Sequence, residues 1–126
     1  MDHKGEVAHR KSSKLVVKKI KELTNEEPAI LVGDFNFDQR NENYKIFTES
    51  EFLSDSYDIT RVRYALNGTF NGFDPNELSD ERIDHVFVTQ NITVERYGIL
   101  TDTYRAYDTA RIPSDHFPVS VELSIQ

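Results

Sequence analysis

Cysteine is absent from all 126 residues. That excludes disulfides and thiolate chemistry, and it restricts any metal site to oxygen and imidazole ligands. It also leaves the redox compartment unread. No apolar run approaches the roughly 20 residues of a membrane-spanning helix. The opening MDHKGEVAHRK lacks the apolar region of a signal peptide, and localisation stays open. Internal repeats and low-complexity linkers are missing too, so the chain reads as one domain of ordinary size. What it does hold, 37% hydrophobic residues with 8 Phe and 6 Tyr, is enough to fill a core.

A broad basic surface, the usual mark of a protein that tracks long nucleic acid, is also lacking. The net charge is −7 and unevenly spread: residues 1–21 carry seven Lys/Arg against Asp2 and Glu6, and the remainder carries eight against twenty acids. The basic run KSSKLVVKKIK reads as the wet side of a helix. The balance favours a small or locally held anionic substrate over processive work on duplex DNA.

SSKLVVKKIKEL has helical periodicity, with Val16, Ile20 and Leu23 on one stripe and lysines opposite. Thr24-Asn25 and Pro28 end it. AILV, apolar throughout, reads as a short strand buried on both faces. ENYKIFTESEF reads as a second helix with Tyr44 and Phe47 inward. From Ser54 to Arg82 turn signals dominate, and the segment reads as mostly loop. RIDHVFVT, ITVERYGIL and HFPVSVELSI read as three strands. Gly98 in the second marks a bulge or close packing. In the third, Phe117, Val119, Val121, Leu123 and Ile125 alternate with polar residues. The order α-β-α-loop-β-β-β suggests a mixed α/β layer with an antiparallel C-terminal part.

The chemistry gathers at strand ends. D-x-N-x-D at Asp34, Asn36 and Asp38 opens like a calcium loop, but such a loop needs Gly at its sixth position and Glu at its twelfth. Gln39 and Lys45 stand there, which rules it out. Asp84 lies inside a strand on the face of Val86 and Val88, where an acid is costly unless paired; Arg82 is one candidate partner and a functional site the other. His85 points to the opposite face, toward the core. Asp115 and His116 sit at the mouth of the last strand. Carboxylates that converge repel unless a cation or proton lies between them, and oxygen donors suit Mg²⁺ or Mn²⁺.

GDFN, RIDHVFV and SDHFPVSVEL, in this order and spacing, resemble the C-terminal half of the endonuclease/exonuclease/phosphatase superfamily of metal-dependent phosphoesterases. GTFNGF is similar to a substrate-side loop of some members. The resemblance implies a mixed, largely antiparallel sheet with two helices, one half of a four-layer α/β sandwich. It implies that Asp34 activates the attacking water and that Asn36, two residues on along an extended backbone, holds a phosphate oxygen. Asp115 would bind Mg²⁺ or Mn²⁺, and His116, held protonated by Asp84, would stabilise charge on the phosphoryl oxygens. Asn36, Phe70 and Asn71 would face the substrate, with Phe70 or Phe73 against a base or sugar ring. The substrate is a phosphate ester, small molecule or nucleic acid.

Members of that superfamily carry further groups upstream: a strand-end Asn, a metal-binding Glu, and a His in a segment like Thr-His-x-Asp-His-x-Gly. Asp2-His3 matches the tail of that segment, and Ala8-His9 stands where many relatives have Ala-Arg. The expectation is that residues 1–126 form the C-terminal portion of a longer enzyme, weak or inactive alone. Its open sheet face would pair with the upstream half or with a second copy. A non-catalytic interaction module of the same fold, or a calcium-binding or lectin-like module, are the alternatives.

Overall fold

The computed structural model describes residues 3–64, 66–76 and 79–126, with side chains from residue 5 onward. Asp2 and the His3 side chain, and with them the match to the upstream segment, lie outside the described residues.

Helix α1 (His3–Thr24) starts well before its periodic core. Ser13 is buried, and Val16, Val17 and Ile20 pack on a cluster formed by Phe37, Tyr44, Phe47, Leu53 and Phe87. Leu23, expected on the same stripe, is 81% exposed, because the cluster lies under the middle turns of α1 and not under its last. Asn25 and Glu26, both left-handed, turn the chain out of the helix.

Strand β1 (Ile30–Asp34) pairs antiparallel with β4 (Asp84–Thr89), which also pairs antiparallel with β2 (Leu53–Asp55). The expectation that β1 is buried on both faces is wrong. Leu31 packs under the helices, while Ile30 and Val32 on the opposite face are open. β1 is the edge of its three-stranded sheet and is covered on one side. Helix α2 (Glu42–Thr48) is capped by Asn41, whose side chain accepts from Asn43 N–H, and it buries Tyr44 and Phe47 as expected.

The segment read as loop holds three short elements: β2, α3 (Ser56–Ile59) and β3 (Val62–Tyr64). Three- and four-residue elements are too short to show a period, so turn residues masked them. The second sheet runs β3–β5–β8, with β5 (Ile92–Ile99) parallel to β3 and antiparallel to β8 (Val119–Ile125). The irregularity in β5 falls between Val94 and Arg96, not at Gly98. Gly98 instead packs close to Tyr64. The inward set of the last strand holds except for Ile125, which is exposed. A hairpin of β6 (Tyr104–Ala106) and β7 (Thr109–Arg111) turns on left-handed Tyr107 and Asp108.

The architecture is therefore mixed α/β and largely antiparallel, with α3 as a third helix beside the two expected. Its centre is aromatic. Phe35, Phe37, Phe47, Phe87 and the buried His85 stack or meet edge-on at centroid distances of 5.0–6.0 Å. Beside them lies a buried charged pair: Arg82 Nη1 donates to Asp55 Oδ2 at 3.1 Å, and Tyr44 Oη donates to the same oxygen at 2.8 Å. Arg82 also covers the Tyr57 ring. Burial acts to raise the Asp55 pKa, but His85, the Arg82 charge and hydrogen bonds from Tyr57 N–H and Tyr44 hold it below the ordinary value. This pair anchors Arg82 just ahead of β4.

Candidate active site

Asp34 ends β1 and Asp84 begins β4, and the two are register partners. In an antiparallel pair, partners project to the same face, so both carboxylates stand at one edge of the sheet on the open side. A β-turn-like closure fixes the first of them: Asn36 N–H donates to Asp34 Oδ1 at 2.8 Å, leaving Oδ2 toward the neighbouring strand. The second is fixed by Thr69, wholly buried, whose Oγ1 accepts from Ile83 N–H and Asp84 N–H.

His116 enters between them. Its Nδ1 lies 2.7 Å from Asp84 Oδ2 and its Nε2 lies 4.0 Å from Asp34 Oδ2. With Nδ1–H donating to Asp84, Nε2 is the nitrogen presented to the cleft. The hydrogen bond to Asp84 raises the His116 pKa above its ordinary 6.5, against partial burial, and the charges of Asp84, Asp34 and Asp115 act the same way. The loop before it is held by Ser114, whose Oγ accepts from His116 N–H. These groups open on a cleft of about 540 Å³ whose other wall is apolar, with Val32, Val86 and Val119.

One carboxylate oxygen from each of Asp34 and Asp84 and one ring nitrogen of His116 all lie within 4.8 Å of one another. The two carboxylates, without sulfur, offer oxygen donors that fit a hard divalent cation, whereas His116, with Nδ1–H on Asp84 and its pKa raised, serves as a hydrogen-bond donor. Asp115 lies outside this set. What it gives the site structurally is its carbonyl, which accepts from Asn71 N–H at 2.8 Å and Gly72 N–H at 3.2 Å. Asp84 pairs with His116 and not with Arg82, whose partner is Asp55.

The reason for placing Asn36 on the same side as Asp34 fails. Asn36 has φ +54°, so the backbone turns there instead of extending, and Asn36 borders a separate cleft against α1 at Gly5 and His9. His85, set aside as a core residue, is buried, with Nε2 donating to the Phe37 carbonyl at 3.0 Å. Phe70 does reach the site: it forms a single antiparallel bridge with His116, and their rings meet edge to face at 5.5 Å. Thr69, Ser114 and the Asp55–Arg82 pair were not read from the sequence. No local signal points to Thr69, which lies far from Asp84 along the chain.

The model of the Endonuclease/Exonuclease/phosphatase family matches residues 4–116. The chain belongs to this family. Members of the endonuclease/exonuclease/phosphatase family are hydrolases of phosphate esters. No curated protein matches the chain. Among solved structures, the mannosyl-6-phosphatase Bt3783 of Bacteroides thetaiotaomicron VPI-5482 is 53% identical, with TM-score 0.92 over 99% of this chain and 49% of that one. An endonuclease/exonuclease/phosphatase from Bacteroides vulgatus is 30% identical, with TM-score 0.79 over 96% of this chain and 45% of that one. Sphingomyelinase C from Streptomyces griseocarneus, 15% identical with TM-score 0.58 over 90% of this chain and 44% of that one, shares the fold. The chain spans about half the length of the structures it matches. Among the described residues no helix is long and apolar enough to cross a membrane.

Proposed function

We propose that residues 1–126 are the C-terminal portion of a divalent-metal-dependent phosphomonoesterase whose substrate is a sugar phosphate. The observation that carries this is the meeting of Asp34, Asp84 and His116 at one sheet edge. The sugar phosphate follows from the named activity of the relative that is 53% identical.

Asp34 Oδ2 accepts the proton of the attacking water, the role of a general base. The water oxygen bonds to phosphorus, the ester P–O bond breaks opposite to it, and the departing alkoxide takes a proton from solvent to leave as the sugar alcohol. His116, held in its protonated form by Asp84, donates from Nε2 to a phosphoryl oxygen and stabilises the charge that develops there. Asp84 orients the ring, because its hydrogen bond fixes Nδ1 as the inward nitrogen. Asp34 and Asp84 would hold Mg²⁺ or Mn²⁺ through carboxylate oxygens, with Asp115 close by, and the ion when bound would supply further positive charge for the phosphoryl group. The open Ile30–Val32 face of β1 is the surface on which the remaining half of the domain packs.

The test is a panel of esters given to the full-length protein that contains this chain: a hexose 6-phosphate, a mononucleotide, an aryl phosphate and a short DNA. The expected result is metal-dependent release of phosphate from the hexose ester, lost on chelation and in Asp34→Ala. Absence of metal-dependent release from every ester, with Asp34→Ala silent, refutes the reading.

A further inference from the structure

Asp84 and His116 stand 32 positions apart in the chain, yet His116 Nδ1 lies 2.7 Å from Asp84 Oδ2. No strand ladder sets that separation. Asp84 begins β4 in the first sheet, His116 precedes β8 in the second, and the two sheets are not hydrogen-bonded through named strands. On the side away from β1, β2 reaches β4 only from Phe87 to Thr89, well short of Asp84.

Thr69 is bonded to both segments. Its Oγ1 accepts from Ile83 N–H at 3.0 Å and from Asp84 N–H at 3.1 Å, and its own N–H donates to the Glu81 carbonyl at 2.9 Å. Its carbonyl accepts from Phe117 N–H at 2.7 Å, on the far side of His116. On the near side, Asn71 and Gly72 N–H hold the Asp115 carbonyl, and Phe70 forms the bridge to His116 itself. Residues 69–72 thus run as a strut that holds the backbone before and after the imidazole, and the Thr69 side chain ties that strut to the acid. Thr69 is wholly buried, so its hydroxyl is shielded from water as an alternative partner.

We infer that Thr69 is a positioning residue: its hydroxyl and carbonyl together set the separation of Asp84 from His116, and with it the direction in which Nε2 faces the cleft. The residue type is what this task needs. A hydroxyl oxygen has two lone pairs and takes two N–H donors at once, whereas a methyl in its place leaves two buried donors without acceptors. The purpose rests on the phosphomonoesterase reading, because a displaced imidazole matters to rate only if it donates to a phosphoryl oxygen. The bonds themselves do not rest on that reading.

The experiment compares Thr69→Val, Thr69→Ser and Thr69→Cys in the full-length protein that contains this chain. Two quantities are read: steady-state kinetics on a hexose 6-phosphate with Mg²⁺, and the NMR resonance of the His116 Nδ1–H proton, which the short bond to Asp84 sets apart. Thr69→Val keeps the shape and removes the acceptor, and it should lower kcat by about tenfold or more with KM changed by less than about twofold. It should also shift or broaden the Nδ1–H signal. Thr69→Ser keeps the oxygen and should recover most of the rate and the signal. Thr69→Cys, with a weak sulfur acceptor, should fall between them and serves where the valine variant does not fold. Wild-type rate and signal in Thr69→Val, a fall in kcat with the signal unmoved, or a loss in Thr69→Ser equal to that in Thr69→Val each overturns the inference. If the wild-type protein releases no phosphate, the esterase reading falls, and the Nδ1–H signal across the three variants alone decides whether Thr69 positions the pair.

Discussion

Asp34 and Asp84 face each other across an antiparallel pair, two acids in direct register. Like charges so placed destabilise a sheet, and the arrangement persists because the imidazole of His116 reaches both. Each consequence of this geometry can be measured.

In the metal-free chain His116 should titrate above 6.5, since its hydrogen bond to Asp84 favours the imidazolium. Asp84→Asn should bring the value down toward that of a free histidine, as read from the His116 Hε1 resonance against pH. The sign for stability follows. The folded state holds the proton more tightly than the unfolded chain, so the contribution is complete below about pH 6.5 and fades as pH rises through the folded value.

Asp34→Asn and His116→Ala should each lower kcat of the full-length protein by about 10²-fold or more, with KM changed far less. Both groups act on charge that appears in the transition state. A steady-state comparison with the same ester for all variants checks it, and an unchanged kcat in either variant removes that residue from the chemistry.

Gly68 has backbone in the way of any side chain. A Cβ there would stand 2.5 Å from the Glu81 carbonyl oxygen and 2.6 Å from its nitrogen. Gly68→Ala should cost about 1–3 kcal/mol in denaturant unfolding. It should also shift the amides of Thr69 and Asp84, because Thr69 N–H bonds to Glu81 and Thr69 Oγ1 holds the Asp84 backbone.

Asp55→Ala leaves Arg82 buried without its counter-ion, and a loss of about 3–5 kcal/mol is expected. Chemical denaturation measures it. The acid limb should change as well. Asp55 is held below its ordinary pKa in the fold, so the stability it lends is present above about pH 4 and vanishes as pH falls through the folded value. Asp55→Ala should flatten that limb.

Ile30 and Val32 form an open apolar pair on β1. The isolated chain should therefore associate as its concentration rises, and Val32→Lys should return it toward monomer, as sedimentation velocity would show. Equal behaviour of the two proteins would mean that the face is not a contact surface.

The sequence by itself determined the helices around Val16 and Tyr44, the alternating last strand, and the expectation that the strand-end groups Asp34, Asp84 and His116 converge. Periodicity and strand-end acids are local signals, written in neighbouring letters. It could not determine which group of Asp115 matters most to the loop beside it, or that Asn36 turns away. It also gave no hint of Thr69, or of Arg82 as the partner of Asp55. Those depend on a left-handed backbone angle at Asn36, on a register between β1 and β4, and on contacts between residues tens of positions apart. Only packing brings such residues together, because the free energy that selects one partner for a buried charge is settled by the whole surrounding core and not by the residues adjacent in the chain.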